Sequence, residues 1–533
     1  MKRTGTPPGD HRVVLAVDLG TGGPKVALVS LTGTILWVEH TPVSTRTDPD
    51  GGSTQDAEEW WQLITHSARA ALASGSVPPE AVVAVSCTGQ WASTVPVDAV
   101  GRPVGPCLMW SDTRGGPLTR KAVGGPVSGY HPVALARWIR ISGGAPSTSG
   151  ADPIGHMLHL EQRCPEVAAA ARWYLEPVDY LAMRFTGVAS ASGASMAGSW
   201  LTDTRSPGSV RYDPYLIRAS GVPMMKLPPL RPTGSVVGTV RAEVADALGL
   251  NNGVAVVAGT PDLHSGAVGS GAVLDYQTHL AISTTSWISC PVPTKKTDVL
   301  HQMATVPGIS TDRYLVANNQ ESGGGALAWL RACLAGDGGM GASGGAPAGG
   351  VDGFDELTAL AARAAPGSGG LIFTPWLGGE RSPVDDRRAR GGFHNLSLQT
   401  TRAELVRAVL EGVAYNSRWL ADSVERFIGR PIGPIRAIGG GATSALWCSI
   451  YASVLGRTVE QVADPVHANL RGAALLAGMA LGELERTDIG SLVPVAATHH
   501  PDPGDRAAYD RLYAEFPRLY RAQRHLFSHL NRA

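Results

Sequence analysis

The sequence predicts an α/β protein of two domains, on three observations. The chain has 533 residues, more than one hydrophobic core is built from. From Val13 to Ser86, short β-branched runs read as three strands joined by tight turns, then a helix, then a further strand. Around Gly253 the pattern restarts: a strand over Val254 to Ala258 runs into Gly259-Thr-Pro-Asp262, and another strand covers His279 to Cys290. A doubly wound parallel sheet would need a long crossover between the first two strands, and the turn between them is far too short.

The elements follow in order. Val13 to Val29 is two apolar runs around a glycine-rich turn, a hairpin, and Thr34 to Val43 adds a third strand after the turn Leu31-Thr-Gly33. Asp56-Ala-Glu-Glu59 reads as a capping box, opening a helix with Trp60, Leu63, Ile64 and Ala68 on one face. Ala81 to Ser86 and Ala92 to Val97 are short strands. The region from Gly115 to Leu250 is mixed, with a helix at Pro153 to Gln162 and a docking segment Glu176-Pro-Val-Asp-Tyr-Leu181. Gly336 to Gly350 is almost all Gly, Ala and Ser and reads as a flexible surface insertion. A long amphipathic helix is expected over Thr401 to Phe427. A strand from Ile435 then enters the turn Gly439-Gly-Gly-Ala442, and helices cover Ser444 to Leu455 and Asn469 to Gly482. A polar amphipathic helix begins at Asp505.

Composition narrows the function. The formal net charge is zero, which gives no basic surface for nucleic acid or for an acidic membrane. No uninterrupted apolar stretch is long enough to span a membrane. The six cysteines are scattered without a C-x-x-C pair and read as reduced, mostly buried thiols of a cytoplasmic protein. Residues 1–12 are polar and Pro/Gly-rich, a disordered leader rather than a signal peptide.

The first hairpin carries chemistry. Asp18 ends a strand where a carboxylate serves no core. Gly20, Gly22 and Gly23 allow the backbone to approach a ligand and aim its N–H groups at an anion, and Lys25 adds a cation. A carboxylate for a hydrated metal, amides for phosphate and a lysine suggest nucleotide binding. A tight hairpin with an exposed Asp and Lys would look the same.

Seven segments resolve that alternative: Asp18-Leu-Gly-Thr21, Trp110-Ser-Asp112-Thr-Arg114, Pro177-Val-Asp-Tyr-Leu181, Ala258-Gly-Thr-Pro-Asp262, Gly379-Glu-Arg-Ser-Pro383, Leu410-Glu-Gly-Val-Ala-Tyr415 and Gly439-Gly-Gly-Ala442. In this order, from about Val13 to about Gly482, they resemble the FGGY carbohydrate kinases, and among these the xylulokinase-like group. The resemblance implies two actin-like (ribonuclease H-like) domains with a cleft between them. Residues 13–270 would form the sugar-binding N-terminal domain and 271–485 the ATP-binding C-terminal domain, followed by a helical extension over 486–533. The strand order at the start suits a ribonuclease H-like sheet.

The resemblance also implies roles. Asp262 matches the base that takes the proton of the acceptor hydroxyl; from the residues alone it could equally cap the helix that follows. Asp18, with Asp262, matches the carboxylates near Mg²⁺, which keeps most of its water. Thr21, Gly22, Gly23 and Lys25 match the loop around the ATP phosphates. Thr284, Thr285, Gly324, Gly440, Gly441 and Ala442 match the rest of the nucleotide site, each glycine also being explicable as a turn residue. Ser283 stands where the family usually has glycine, which would cost φ > 0 freedom. On the sugar side the resemblance implies Gln90, Trp91, Ala92, Asp112 and Leu263, with Asp112 accepting two hydroxyls. Ala92 and Leu263 replace polar residues of the family. Trp91 could stack on a sugar face or fill core, and His264 could reach substrate or be structural. Glu380-Arg381 is read as interdomain pairing. His156 and His159 have a metal-compatible spacing but read as surface residues.

These readings predict an ATP- and Mg²⁺-dependent kinase acting on a ketose, polyol or aldonate, with a small-molecule sugar as partner and a homodimer left open. The lost polar groups predict weak or broad activity on D-xylulose. The same departures leave open an actin-fold protein that binds sugar or nucleotide as a sensor without catalysis.

Overall fold

The computed structural model describes residues 11–127, 129–335 and 352–531. Most of the expected leader and all of Gly336 to Gly350 lie outside these residues. Arg12, counted in that leader, is already anchored, its Nη1 donating to Glu483 Oε1 at 2.8 Å.

Among the described residues the first half builds a six-stranded sheet from β1 (Val13–Gly20), β2 (Gly23–Ser30), β3 (Ile35–His40), β4 (Val82–Gly89), β5 (Val236–Thr239) and β6 (Ala255–Pro261), in the order β5-β6-β4-β1-β2-β3. Strands β1, β4 and β6 run parallel to one another, β5 is antiparallel to β6, and the β1–β2–β3 meander is antiparallel. Strand β1 is apolar on both faces because both are covered. Val13, Leu15, Val17 and Leu19 pack with Trp60 and Ile64 of α1 (Ala57–Ala73) and with Tyr180 and Phe185 of α2 (Pro177–Thr186). Val14 and Ala16 pack on the opposite face, against Leu470, Ala473 and Ala477 from the far end of the chain. The period of two puts Asp18 on this second face.

Helix α1 starts at Asp56, whose side chain accepts from Glu58 N at 2.8 Å. This is a simple cap and not the reciprocal capping box expected. Trp61 joins the buried face, while Leu63 is only half-buried. The expected strand from Ala92 shortens to Val95–Val97, paired with Trp173–Leu175 outside the main sheet. The residues before it form a loop in which Ala92 takes a left-handed φ of 63°.

The second half repeats the plan. After α3 (Asp262–Ser270), strands β7 (Thr278–Ile282) and β8 (Ser286–Ser289) form a hairpin. The long helix α4 (Arg402–Ile428) leads to β9 (Ile435–Ile438), α5 (Ala445–Leu455), β10 (Val459–Val462), α6 (Ala468–Ala480), β11 (Val495–His499) and α7 (Pro503–Leu530). The sheet order is β8-β7-β9-β10-β11, again an antiparallel hairpin beside parallel strands. The single strand expected over His279 to Cys290 is therefore two. Thr284 and Thr285 have high β propensity, yet Ser283 N donates to Thr285 O and closes a turn around them. The tail is also not purely helical. Val495–His499 adds an edge strand to the sheet, hidden in the sequence because its residues are mostly small or polar and only partly covered. Helix α7 docks through Tyr509, Phe516 and Phe527 into the core that contains α4.

Two helices exchange places between the halves. Helix α3 leaves the first sheet and packs on β7 and β9, whereas α6 leaves the second and covers β1 and β4. They cross almost backbone to backbone: a Cβ on Gly269 would stand 1.7 Å from Ala468 O, and one on Gly472 1.9 Å from Ser265 O. No side chain fits at either position.

Candidate active site

Parallel strands deliver their next residues to one edge of a sheet, where ligands bind in open α/β folds. In the first sheet Asp18 of β1 is in register with Thr88 of β4, and Thr88 with Thr260 of β6. Gln90 and Asp262 follow these last two strands directly. Thr88 fixes the edge: its hydroxyl donates to Thr260 O at 2.8 Å and shares a 2.7 Å hydrogen bond with Ser265 of α3. In the second sheet the corresponding edge carries the turn Ser283–Thr285 and the segment Gly439–Gly441.

Asp262 is the first residue of α3, and Pro261 takes the cap position. Among the described residues the Asp262 carboxylate accepts only from its neighbour Leu263 N, at 2.8 Å, so the capping alternative fails. Burial pushes its pKa up to about 7, and the Asp18 carboxylate adds to the rise; Leu263 N–H and the Lys25 charge oppose it. A carboxylate titrating near neutrality suits proton abstraction. Asp18 and Lys25 are cross-strand partners, with Nζ 3.4 Å from Oδ2. This arrangement predicts an acid limb in the pH dependence of kcat/KM near pH 7, with activity rising as Asp262 loses its proton. Asp18→Asn removes the raising charge, so the limb should move to lower pH. A limb that stays in place in a pH–rate comparison of the two proteins would separate Asp18 from Asp262.

On the proposed sugar side, Gln90 is 4% exposed, and neither its amide oxygen nor its amide nitrogen has a partner among the described residues. A buried amide with both ends free is costly unless a ligand or water completes it. Trp91 is half-buried and its Nε1 donates to Ser195 O at 2.6 Å. It lies edge-on to His264 and against Gly198, which favours wall packing over free stacking. His264 is structural: it is buried, its Nε2 lies 2.8 Å from Pro307 O, and burial lowers its pKa to about 4.

Two expectations are corrected, the free carboxylate at Asp112 and the surface position of His156. Asp112 is fully buried and its oxygens are taken by Ser53 N (2.9 Å), Arg114 N (3.1 Å) and the Arg114 guanidinium (2.6 Å). Burial raises its pKa, but these donors outweigh that and lower it overall. Its lone pairs anchor the substrate segment and leave none for two hydroxyls. Leu263 is buried in an apolar cluster with Ala197, Val306 and Ile309, against which Trp91 also packs, and it offers a ligand no polar group. His156 is not at the surface: it is fully buried, its Nδ1 is 3.2 Å from Thr94 Oγ1, and burial lowers its pKa to about 4.

On the nucleotide side, Thr21 and Gly22 are exposed at the first turn, and a Cβ on Gly22 would meet nothing within 4 Å. Gly23 serves the fold, since a Cβ there would lie 2.0 Å from Thr41 O. Thr284 is exposed and Thr285 half-buried in the second turn. The turn is held from behind, with Gly323 N donating to Thr284 O at 2.9 Å and Gly324 N to Ser283 O at 2.5 Å. Ser283 does not have a positive φ, so replacing glycine costs no backbone strain here. Gly440 faces open space, whereas Gly441 packs on Ile282. Ala442 is buried in the core and its carbonyl accepts from Gln461 at 2.8 Å, which removes it from the lining.

Sequence reasoning missed Trp110 as more than a motif residue. Its Nε1 donates to Thr21 Oγ1 at 3.1 Å, and Arg381 of the second half stands over its ring. The interdomain pairing read into Glu380-Arg381 thus falls to Arg381 alone. Glu380 is buried within its own half, accepting from Asn416 Nδ2 at 2.5 Å.

Two sheets of the same plan, crossed by exchanged helices, with carboxylates at the edge of one and glycine loops at the corresponding edge of the other, have the architecture of a two-domain phosphotransferase. Comparison with known proteins makes this specific. The chain belongs to the FGGY family of carbohydrate kinases: the family's N-terminal domain matches residues 13–269 and its C-terminal domain residues 281–481. A xylulose kinase of Staphylococcus epidermidis is 26% identical over 524 residues, 97% of this chain and 98% of that protein. A gluconokinase of Bacillus subtilis is 24% identical over 523 residues, 95% of each chain. A ligand-bound xylulose kinase of Lactobacillus acidophilus has the same fold, with a TM-score of 0.82 at 21% identity, over 98% of this chain and 100% of that one. As a carbohydrate kinase the protein uses ATP and a small-molecule sugar. Among the described residues no helix is long and apolar enough to cross a membrane.

Proposed function

We propose that the protein transfers the γ-phosphate of ATP to a hydroxyl of a ketose, as a xylulokinase-like enzyme that accepts pentuloses broadly and D-xylulose itself weakly. One observation carries this: Asp18, the unpartnered amide of Gln90 and Asp262 follow one another along the edge formed by β1, β4 and β6. Gln90 can both donate to and accept from neighbouring hydroxyls. Arg114 and Lys25, the cations of the segments that build the site, are each paired with a carboxylate, Asp112 and Asp18. A neutral ketose therefore fits better than an aldonate, whose carboxylate would need a cation of its own.

In the reaction Gln90 orients the acceptor, and Asp262 takes the proton of the attacking hydroxyl. The turns at Thr21–Gly22 and Thr284–Thr285, with Gly440, cradle the phosphates and hold donor and acceptor in line. Mg²⁺ would supply charge neutralisation on the phosphates. Asp18 and Asp262 are suited to it through water, since two carboxylates fit a hydrated ion better than a closed cage.

ADP release at fixed Mg-ATP, measured over pentuloses, hexuloses, polyols and gluconate, tests the reading. The expected result is a kcat/KM for a pentulose at least about tenfold above that for gluconate. A preference for gluconate would replace the ketose assignment by an aldonate one. No ADP release with any acceptor would overturn the proposed sugar transfer.

A further inference from the structure

Trp110 of the first half and Arg381 of the second meet where the two halves touch, and neither has a part in the chemistry above. The Arg381 guanidinium carbon is 5.1 Å from the centroid of the Trp110 ring. Trp110 is tied to both working loops of the first half. Its backbone N–H donates to Ser93 Oγ at 2.9 Å, beside Gln90–Ala92, and its indole N–H donates to Thr21 Oγ1 at 3.1 Å, in the β1–β2 turn. Arg381 is tied to the working loop of the second half. Its Nε donates to Glu321 Oε1, and Glu321 directly precedes Ser322–Gly325, whose Gly323 and Gly324 amides hold the Ser283–Thr285 turn. The buried Glu380 carboxylate accepts from the backbone N–H of both Glu321 and Arg381, each at 2.9 Å, so the two side chains leave from one pinned support.

From this geometry we infer that Arg381 is a positioning residue that links the sugar loop to the nucleotide loops by stacking on Trp110. The inference rests on the kinase reading above and adds to it a physical path, Thr21–Trp110–Arg381–Glu321, from one phosphate turn to the other. An ordinary surface ion pair between Arg381 and Glu321 is the competing account, and such pairs contribute little. Glu321 already has a second cation, Arg387, so neutralising it does not require Arg381. What Arg381 alone adds is a planar cation over an indole, a contact that lysine reproduces poorly. Sugar bound beside Ser93 restrains Trp110, the restraint passes to Arg381, and the loop before Gly323 is ordered for ATP. By linkage, ATP tightens sugar by the same factor.

The test uses the full chain without ligands. Hydrogen exchange is followed in the native protein, in Arg381→Lys and in Trp110→Phe. Arg381→Lys keeps the charge beside Glu321 but weakens the stack. Amides of the 21–23 turn and of the 322–325 loop, one in each half, should both exchange faster, by about two- to fivefold. Trp110→Phe keeps a ring but removes the indole N–H, and should speed exchange chiefly at the 21–23 turn. If Arg381→Lys affects only 321–325, or neither segment, the link is overturned and Arg381 is a local ion pair. With the acceptor identified by ADP release, calorimetry adds a functional readout. Arg381→Lys should reduce the factor by which sugar tightens a non-hydrolysable ATP analogue and raise the KM for ATP more than it lowers kcat. Failure of every acceptor would count against the kinase reading, while the exchange experiment would still decide the link.

Discussion

Asp262→Asn should keep the affinity for a non-hydrolysable ATP analogue and for sugar, and lose on the order of 10²–10⁴ in kcat. The substitution is nearly isosteric. Its amide oxygen can still accept from Leu263 N–H, the one hydrogen bond the carboxylate makes among the described residues. The helix that begins here is therefore unaffected, and a thermal melt at neutral pH should lie no lower than that of the native protein, because the buried charge is gone. What asparagine cannot do is take a proton. In the proposed reaction the native carboxylate takes it, and burial and the Asp18 charge raise its pKa to about 7. At that value it is a far better acceptor than an ordinary aspartate and is still substantially ionised at neutral pH. Removing the charge should also relieve its repulsion with Asp18. A variant that keeps near-normal turnover would remove Asp262 from the chemistry and leave it as a residue of the strand end.

The strand-level plan was legible because its signals are local. β1 reads as a strand from Val13-Val-Leu-Ala-Val, and the shortness of the turn before Gly23 excludes a parallel crossover. Asp18, Gln90 and Asp262 were legible as a set only through the family resemblance, since they come from three strands separated by more than a hundred residues at the widest gap. The sequence did not disclose which polar groups were already engaged. Asp112 looks like a free carboxylate until Ser53, from a distant strand, and Arg114 are seen to saturate it. His156 has the spacing of a surface helix residue and is instead sealed by packing from other elements. Leu263 stands beside the base in sequence, yet the first turn of α3 directs it into the apolar cluster. The exchange of α3 and α6 was invisible for the same reason. The expectation of tight packing for the small-residue helix was sound, but its partner lies some two hundred residues away.

The largest expected effect on stability is that of Arg407→Met, which removes one half of a buried pair. Arg407 and Glu411 are one turn apart on α4, with side chains 7% and 0% exposed and Nε 2.7 Å from Oε1. The guanidinium also donates to Tyr509 OH at 3.0 Å, and the Tyr509 hydroxyl donates to Glu411 Oε1 at 3.0 Å. Gly367 N at 3.0 Å and Ser368 Oγ at 2.7 Å complete the carboxylate's partners. The network therefore fastens α7, which carries Tyr509, to the long helix behind the second sheet. Methionine fills the space of the arginine stem but leaves Glu411 without a counter-charge, at a cost of about 3–5 kcal/mol. The pH dependence identifies the cause. Burial already raises the Glu411 pKa above the ordinary 4.5, with Arg407 opposing the rise. Without Arg407 it rises further, so the native state holds a proton that the unfolded chain releases. Stability is then retained below pH 4.5 and lost as pH increases toward the folded-state value. Urea unfolding of native protein and variant at about pH 4.5 and pH 8 should show a gap that widens markedly at the higher pH. Adding Glu411→Leu should close most of it, because a pair replaced by apolar groups leaves no buried charge behind. A gap that is the same at both pH values, and that Glu411→Leu does not narrow, would assign the loss to packing around the arginine stem and leave the ion pair without a stabilising part.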